Sequence, residues 1–508
     1  MTMFSRRDFP PLPSYKTTRS RWQISNHAIA HVHTPRPLGS ATTINDLPDE
    51  LILEILDHLP GIDIDDFQLS TLVCLSLTNH RFHRMVAERL YATYSSHFCE
   101  PYLFLRTMVA KPQLAELVRY VDVTCGDGAH HDRNRYVATA QDKKTIKEGM
   151  RLLSISNWKT WAVDCNSFDG EVEVLHSAVL MHAPNIKSLV IEDTGSHDHT
   201  GPKWIDIIRK ATIGTSSGRV HRFEHLQSVR VGASRYNTSQ LAPLFRLDSL
   251  RLLHLRDLVA LDTGGRSTTV LQRMIPQDCN RIEKLNLEHS FLHMDTLGVL
   301  VASSRRLKIF KYDVTLECIS HELNAHHELG ATKLSMVLHP KRDSLESLHL
   351  SCDARAEEET RGTITLLDDL RNFVALKHLS CPLTSIIGAR LDASATFIES
   401  LPRSLITYNT VIRKYTDDKN CLTALEHMAA NYHTNTQKLE EVRIVVPSPA
   451  PWLMYDWEPL VRFFSRSGVN LVVEHEEDDE DDFGESWNDD STESSQSSDE
   501  VDLYSNEG

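Results

Sequence analysis

A short apolar pattern, with the ideal spacing L-x-x-L-x-L, recurs along most of the chain and constrains its fold more than any other feature. The last two apolar positions of each copy alternate with other residues, as in a short strand with one buried face. Helical stretches precede several copies, so the predicted unit is strand, crossover helix and parallel strand. The copies are Val118/Val121/Val123, Ile186/Leu189/Ile191, Leu226/Val229/Val231, Leu250/Leu253/Leu255, Ile282/Leu285/Leu287, Leu307/Phe310/Tyr312, Leu345/Leu348/Leu350, Leu376/Leu379/Cys381 and Leu439/Val442/Ile444, with a weaker one at Leu405/Tyr408.

The fold class that this pattern predicts is α/β, with a parallel sheet in an irregular solenoid of repeated units over residues 100–473. An ordinary α/β domain whose buried strands resemble one another is the alternative. With 508 residues, the chain is too long for one compact core, which fits an elongated repeat architecture or several units.

A compact helical unit is predicted upstream, over residues 42–95. In TTINDLPDELILEILDHLPG, Asp46 is the expected N-cap and Pro48 fits the first helical turn, while Pro60 and Gly61 end the helix. Its apolar positions cover more than the third of a helix surface that packing on its own small domain requires. A second amphipathic stretch, LSTLVCLSLTNHRFHRMVAERLY, follows. We therefore expect a docked partner to cover part of this unit.

The two ends of the chain have the composition of disordered segments. Residues 1–41 are rich in Pro, Ser, Arg and His and predict a disordered basic arm. A mitochondrial presequence is the alternative for this arm, although Pro10, Pro11 and Pro13 oppose the amphipathic helix that it needs. Residues 474–508 hold 16 acidic residues and no Lys or Arg, which predicts an acidic disordered tail. This tail either solubilises the protein or competes for basic residues of the repeat region.

The charge and the cysteines exclude several classes of protein. Subtracting the 16 acidic residues of the tail from the 70 in the chain leaves 54, equal to the 54 lysines and arginines. A neutral body argues against a nucleic-acid partner. No apolar run reaches the roughly 18 residues of a membrane span. The nine cysteines are scattered without a CxxC pair, which predicts neither disulfides nor a zinc site and favours the cytoplasm or the nucleus.

No motif of catalysis is present in the sequence. The segment HELNAHHELG (321–330) is close to a zinc-protease motif, but His321 and His326 are five residues apart rather than four and cannot share a helix face. The pairs His130/His131 and His197/His199 have no partner pair at ligand spacing. Phosphate-binding glycine loops and the GxSxG elbow are also missing. We expect no enzyme, no metal and no cofactor.

The helical unit resembles an F-box, on Leu47-Pro48-Asp49-Glu50-Leu51-Ile52, Ile55, Leu56, Leu59, Leu72-Val73-Cys74 and Asn79-His80-Arg81-Phe82. The whole chain is similar to fungal F-box proteins with degenerate leucine-rich repeats. The resemblance implies a three-helix motif that docks on the Skp-type adaptor of a cullin–RING ubiquitin ligase. It departs from the family in that Phe82 stands where a Trp is usual, and GIDIDDFQLS is longer than usual. The adaptor-binding residues it implies are Leu47, Pro48, Leu51, Ile52, Ile55, Leu56, Leu59, Leu72, Val73, Cys74 and Phe82.

The repeat region is expected to hold a target protein, since the residues that flank and separate the buried strand positions form the concave face of a solenoid. That face mixes both signs of charge, which suits a protein epitope or a phosphorylated segment. Arg230, Arg256, Lys284 and Lys311 are the first candidates for contact with an anion. The full set of candidate residues is Arg230, His254, Arg256, Lys284, Asn286, Glu288, Lys311, Asp313, His349 and Arg443.

These patterns predict a substrate-recognition subunit of an SCF-type ubiquitin ligase, in which other subunits perform the chemistry. The alternative is a repeat-based interaction scaffold that does not drive ubiquitination. In that case the helical unit either binds the adaptor alone or only caps the N-terminal end of the solenoid.

Overall fold

The computed structural model describes residues 44–58, 66–125, 136–167, 171–193, 202–213, 218–260, 265–314, 333–352, 367, 369–387, 393–412, 418–447 and 456–476. The predicted disordered arm (1–41) lies outside the described residues, as does the tail beyond residue 476. The chain divides into two compact units, residues 1–60 and residues 61–508.

The first unit holds a 3-10 turn, Ile44–Asp46, and helix α1, Asp49–Asp57. Pro48 precedes the helix with φ −54° and ψ 151°, an extended conformation that its ring permits. The helix therefore begins two residues later than the sequence pattern predicts, with Pro48 rather than Asp46 at the N-cap, and Asp46 belongs to the turn before it. Asp49 and Glu50 lie in the first turn, where carboxylates are stabilised by the positive end of the helix dipole.

The second unit contains the remaining helices. The described α-helices are α2 (Asp66–Thr78), α3 (His80–Leu90), α4 (Pro101–Ala110), α5 (Pro112–Ala115), α6 (Ala140–Leu152), α7 (Trp158–Asn166), α8 (Val172–His182), α9 (Lys203–Ile213), α10 (Thr238–Leu241), α11 (Gly265–Met274), α12 (Met294–Ser303), α13 (Leu334–Leu338), α14 (Thr384–Ile387), α15 (Ala393–Ser400), α16 (Asp418–Asn435) and α17 (Glu458–Arg466). Two further 3-10 turns are Leu244–Arg246 and His339–Lys341.

Within the described residues of the second unit, 12 strands form one parallel sheet. Its strands, in spatial order, are β1 (Thr93–Ser95), β2 (Tyr120–Cys125), β3 (Ser188–Asp193), β4 (Ser228–Gly232), β5 (Leu252–Arg256), β7 (Lys284–Glu288), β9 (Ile309–Val314), β10 (Ser347–Cys352), β11 (His378–Ser380), β12 (Thr407–Val411), β13 (Glu441–Pro447) and β14 (Asn470–Glu476). Two short strands, β6 (Val259–Ala260) and β8 (Phe291–Leu292), pair with each other. The predicted α/β fold with a large parallel sheet is confirmed.

The strands start level with one another because one backbone contact is repeated along the sheet. The carbonyl before a strand accepts hydrogen bonds from two successive amides at the start of the next strand. Arg119 O accepts from the amides of Lys187 (2.7 Å) and Ser188 (3.1 Å), and Arg251 O accepts from those of Glu283 (2.8 Å) and Lys284 (3.0 Å). This contact satisfies amides that precede the strand ladder and fixes the register between neighbours.

The apolar pattern marks the buried side of the sheet. Each copy coincides with a strand, and its central residues are almost fully buried, as for Leu253 and Leu255 (both 0% exposed). Asn280 holds a buried polar position before β7. Its Nδ2 donates to Phe245 O (3.0 Å) and Ser303 Oγ (2.9 Å), so its amide is satisfied within the core.

The sheet extends beyond the copies of the pattern at both ends. Strand β1 lies before residue 100, where the pattern places the start of the repeat region, and β14 continues to Glu476, past residue 473. The division of the chain into residues 1–41, 42–95, 100–473 and 474–508 stays a prediction. Among the described residues, no helix has both the length and the apolar character needed to cross a bilayer.

Candidate functional site

Helix α1 buries only part of its apolar surface. Ile52 and Leu56 are 1% and 3% exposed, whereas Leu51 and Ile55 are 45% and 48% exposed. Leu51 and Ile55 are four residues apart, so they lie one above the other on the same side of the helix. This pair leaves apolar area that an apolar partner can cover.

The other predicted residues of the first unit differ in their exposure. Pro48 is exposed, while Leu47 is half-buried. Leu59 lies outside the described residues. Ile52 and Leu56 therefore belong to the interior, and Leu51 and Ile55 supply the accessible apolar area of α1.

Helices α2 and α3 show the same division. Leu72 and Phe82 are 1% and 3% exposed, so these two predicted contact residues lie in the interior. Val73 is half-buried, and Cys74 and Leu77 are exposed. Leu77, at 58% exposure, was not among the predicted contact residues, although its position in the amphipathic stretch of α2 is a signal for it.

The start of α3 is fixed by its capping residue. Asn79 Oδ1 accepts a hydrogen bond from the amide of Phe82 (2.9 Å), which satisfies one of the free amides at the helix N-terminus. Phe82, held at the first turn, packs inward. The residue that stands in the region of the family's usual Trp thus has a structural role in this chain.

The strand residues that alternate with the buried ones form a second surface, here called the open face of the sheet. Five of its residues lie side by side in register on five neighbouring strands. This central row is Arg230, His254, Asn286, Lys311 and His349. Arg443 lies on the same row three strands further along, after Ser380 and Asn409.

A neighbouring row lies two residues later on each strand. Arg256 pairs with Glu288, and Asp313 pairs with Ser351. Lys284 lies two residues before Asn286 on β7 and faces the same side. The structure thus places all ten predicted target-binding residues on the open face, and their role in binding stays a prediction.

Both arginines of the N-terminal half of this face are paired with carboxylates. Arg256 Nη2 lies 2.7 Å from Glu192 Oε2, and Arg256 Nε lies 3.2 Å from Asp257 Oδ2. Arg230 Nε lies 3.9 Å from the other oxygen of Glu192. Arg256 is therefore closely paired within the chain, whereas Arg230 has only this longer contact and its Nε makes no hydrogen bond with the described residues.

Histidines link the next carboxylates along the face. His254 Nε2 lies 2.5 Å from Glu288 Oε2, and His289 Nδ1 lies 3.1 Å from Asp313 Oδ2. Burial lowers the pKa of His254, and this effect outweighs the opposing pull of Glu288. Burial also lowers the pKa of His349, with a further contribution from the charge of Lys311.

Arg443 is also paired. Its guanidinium lies 2.9 Å from Glu474 Oε1 on β14 and 3.2 Å from Glu441 Oε1 on its own strand. Glu474 belongs to the segment predicted as acidic tail, yet it forms part of the last strand. This arginine is held between two carboxylates rather than presented to an anionic partner.

The two lysines of the face differ from the arginines. Lys284 and Lys311 have no carboxylate within 4.0 Å among the residues that the structure describes. The open face can thus recognise charged and polar groups by charge-assisted hydrogen bonds. The histidine motifs at 130–131, 197–199 and 321–330 lie outside the described residues.

Comparison with known protein families gives one finding that bears on the segment containing the exposed apolar pair of α1. Residues 44–96 match the family described as F-box-like, and this segment runs from the 3-10 turn before α1 to the residue after β1. A search of curated proteins finds no match to the chain. The chain therefore carries an F-box-like domain at residues 44–96, in agreement with the resemblance read from its sequence.

Proposed function

We propose that this chain is a substrate-recognition subunit of an SCF-type (Skp–cullin–F-box) ubiquitin ligase. Its F-box-like segment binds a Skp-type adaptor and, through it, a cullin–RING ligase. The open face of the sheet binds the target protein. The chain itself performs no chemistry, since the ligase needs from this subunit only proximity and orientation of the target.

The observation that carries this proposal is the exposed apolar pair of α1 within the matched segment. Leu51 and Ile55 each leave nearly half of their surface in water. Covering them with a partner would contribute about 1 kcal/mol each, because full burial of such a side chain is worth roughly 1.5–3 kcal/mol. Two observations on the same segment support adaptor binding: it matches the F-box-like family, and it leaves apolar side chains exposed.

A target-binding role for the sheet is supported by the composition of its open face. Protein-binding surfaces combine polar and charged groups with some apolar area. The open face offers paired arginines, histidines and carboxylates together with two unpaired lysines. The free thiols of the described cysteines suit the reducing environment of the cytoplasm or the nucleus, where we place the protein.

Adaptor binding is tested by co-purification of the full chain with a recombinant Skp adaptor. The variant Leu51→Lys/Ile55→Lys should weaken binding by about 100-fold or more, since two buried charges would replace two apolar contacts. Val374→Lys is the matched control, because Val374 is 66% exposed and lies outside residues 44–96. Circular dichroism should be unchanged in both variants.

Two results would contradict the proposal: a wild-type chain that does not retain the adaptor, or a double variant that retains it as well as the wild type. Adding a cullin–RING module then separates a ligase subunit from a scaffold. A stable complex of adaptor, cullin and this chain supports the ligase role. Retention of the adaptor with exclusion of the cullin would replace it with the scaffold role.

A further inference from the structure

Lys284 and Lys311 differ from the arginines of the open face in that neither forms an ion pair with a described residue. Glu192 and Asp257 neutralise the arginines of the neighbouring strands, at distances of 2.7–3.9 Å. The carboxylates near the lysines in sequence have other partners: Glu283 contacts Lys308 (2.5 Å), Glu288 contacts His254 and Asp313 contacts His289. Within the described part of the chain, no acidic group lies at ion-pair distance from either lysine.

Lys284 and Lys311 lie on adjacent strands, β7 and β9, and are offset by two residues along the strand direction. Lys284 begins β7, and Lys311 is the third residue of β9. Lys311 pairs in register with Asn286, two residues after Lys284 on the same face. Neighbouring strands are about 4.8 Å apart and alternate residues on one strand about 6.6 Å apart, so both ammonium groups can reach one anionic group above the sheet.

Asn286 is a third uncommitted group at this place. Its Oδ1 is shielded from solvent and accepts no hydrogen bond from the described residues. A buried amide oxygen without a donor is costly unless a ligand or a water molecule completes its hydrogen bonds. Asn286 Oδ1 can therefore accept a hydrogen bond from an N–H group of a bound segment, beside the two lysines.

Apolar side chains flank the cationic pair. Leu252, Lys284 and Ile309 pair in register across β5, β7 and β9, so Lys284 lies midway between the two apolar residues. Two strand spacings separate Leu252 from Ile309, which is roughly 10 Å. Both are half-buried, so both keep apolar area in contact with solvent on the open face.

We propose that Leu252, Lys284, Asn286, Ile309 and Lys311 form a binding site for a segment of the target protein in which an anionic side chain is flanked by apolar ones. The anion, a carboxylate or a phosphate, contacts the two ammonium groups, and the apolar side chains cover Leu252 and Ile309. This site rests on the proposed function, because it assigns the open face to target recognition. Of the four residues predicted to contact an anion, it keeps Lys284 and Lys311 and sets aside Arg230 and Arg256, because among the described residues only the arginines have a carboxylate within 4.0 Å.

The test uses the full chain and a display library of random 12-residue peptides. Selection on the wild type should enrich peptides with Asp or Glu between Leu, Ile, Val, Met or Phe. The variant Lys284→Glu/Lys311→Glu should lose the acidic enrichment at least 10-fold. Lys187→Glu is the matched control, because Lys187 is an exposed lysine that precedes β3 and lies off the open face. It should retain the wild-type enrichment.

Charge reversal beside Glu288 and Asp313 can unfold the region, so the neutral variant Lys284→Gln/Lys311→Gln is selected in parallel. It should also lose the acidic enrichment, with unchanged circular dichroism. The proposal is overturned by a wild-type selection without acidic enrichment. It is equally overturned if the enrichment survives in the neutral variant, or if Lys187→Glu removes it as well.

The two sources of the anion are distinguished with synthetic versions of the enriched peptide, carrying Asp, phosphoserine or Ser at the central position. Fluorescence anisotropy should show binding of the Asp or the phosphoserine form that weakens as salt rises. Whichever of these two peptides binds more tightly identifies the natural anion as a carboxylate or a phosphate. If the Ser peptide binds equally well, the proposed site is contradicted. Adaptor retention, measured on the same preparations, reports on the ligase role independently of the peptide result.

Discussion

Lys341 Nζ lies 3.0 Å from Asp278 Oδ1, and Lys341 is only 4% exposed. The same ammonium group donates to Ala302 O (3.3 Å) and to Ser304 O. Its three donors thus tie the 3-10 turn before β10 to the segments at the ends of α11 and α12. A buried ammonium group with three acceptors stabilises the packing of successive units, whereas Lys284 and Lys311 of the open face have no carboxylate within 4.0 Å among the described residues.

Replacing this lysine with an apolar residue should destabilise the sheet. Lys341→Met leaves the carbonyl of buried Ser304 without its donor, at a cost of about 1–3 kcal/mol, whereas Ala302 O still accepts from the amide of Asp278 (3.0 Å). Lys377→Met is the control, because Lys377 forms an exposed ion pair with Glu346 (3.0 Å), and such pairs contribute less than about 1 kcal/mol. Thermal unfolding should show a clearly lower midpoint for Lys341→Met alone. Equal shifts would mean that the buried contacts are not stabilising.

A second prediction concerns the close approach of α6 to α4 at Gly149. A Cβ at this position would lie 2.8 Å from Val109 Cγ2 and also overlap Cγ1, and Val109 is a β-branched residue that cannot move away easily. Gly149→Ala should therefore cost about 1–3 kcal/mol, although alanine in a helix is normally about 1 kcal/mol better than glycine.

The partner variant tests the cause of this effect. In a Val109→Ala background the obstacle is gone, so Gly149→Ala should become neutral or stabilising by up to about 1 kcal/mol. Thermal or urea unfolding of the four proteins gives the coupling between the two sites. Additive effects of the two substitutions would show that the glycine is needed for another reason.

The third prediction is a loss of stability at mildly acidic pH. Burial lowers the pKa of His182 from 6.5 to about 4, and the neighbouring His221 lowers it further. The pKa of His221 is itself lowered, mainly by burial. The unfolded chain thus binds protons that the folded chain excludes, and stability falls as pH drops from 6.5 towards 4. At pH 5 the loss from His182 is about 2 kcal/mol.

Unfolding midpoints measured at pH 7.5 and pH 5 test this dependence. His182 Nε2 is shielded and unpaired among the described residues, so His182→Leu should remove part of the pH dependence at little cost at pH 7.5. His433→Gln, at an exposed histidine that contributes to neither the His182 nor the His221 shift, should leave the dependence unchanged. A His182→Leu protein as sensitive to acid as the wild type would assign the effect to other groups.

The fourth prediction separates binding from folding on α1. Ile55→Glu changes an exposed side chain and should abolish adaptor retention with an unchanged unfolding midpoint. Ile52→Ala removes a buried side chain and should cost about 2–4 kcal/mol of stability. Adaptor pull-down and thermal unfolding of both variants measure the two effects. Loss of stability in Ile55→Glu would place that residue in the interior instead.

The strands of the sheet were largely predictable from sequence. Leu253 and Leu255 alternate with Leu252 and His254 because strand side chains point to opposite faces, and this signal is local. Strands β1 and β14 were missed since their sequences, TYS and NLVVEHE, lack the triplet. They are strands because each pairs with a neighbour already in place, Thr93 with Tyr120 and Asn470 with Glu441.

The F-box-like segment was also recognisable from sequence, yet the sequence did not show which of its apolar residues are buried and which are exposed. Ile52 and Ile55 have the same chemistry, and only packing makes one 1% exposed and the other 48% exposed. Propensity and periodicity describe a helix surface as a whole. Which part of a wide apolar surface remains open is decided by the elements that cover the rest.

By itself, the sequence determined where the strands of the sheet between β2 and β13 lie, which of their residues face the interior and which share the open face, because these properties follow from local alternation. The tertiary structure decided which charges remain available. Glu192 and Arg256 are 64 residues apart in the chain and 2.7 Å apart in space, while Lys284 has no such partner within the described residues. Coulomb attraction depends on distance in space, and that distance is set by strand register and crossover length rather than by the spacing of residues in the sequence.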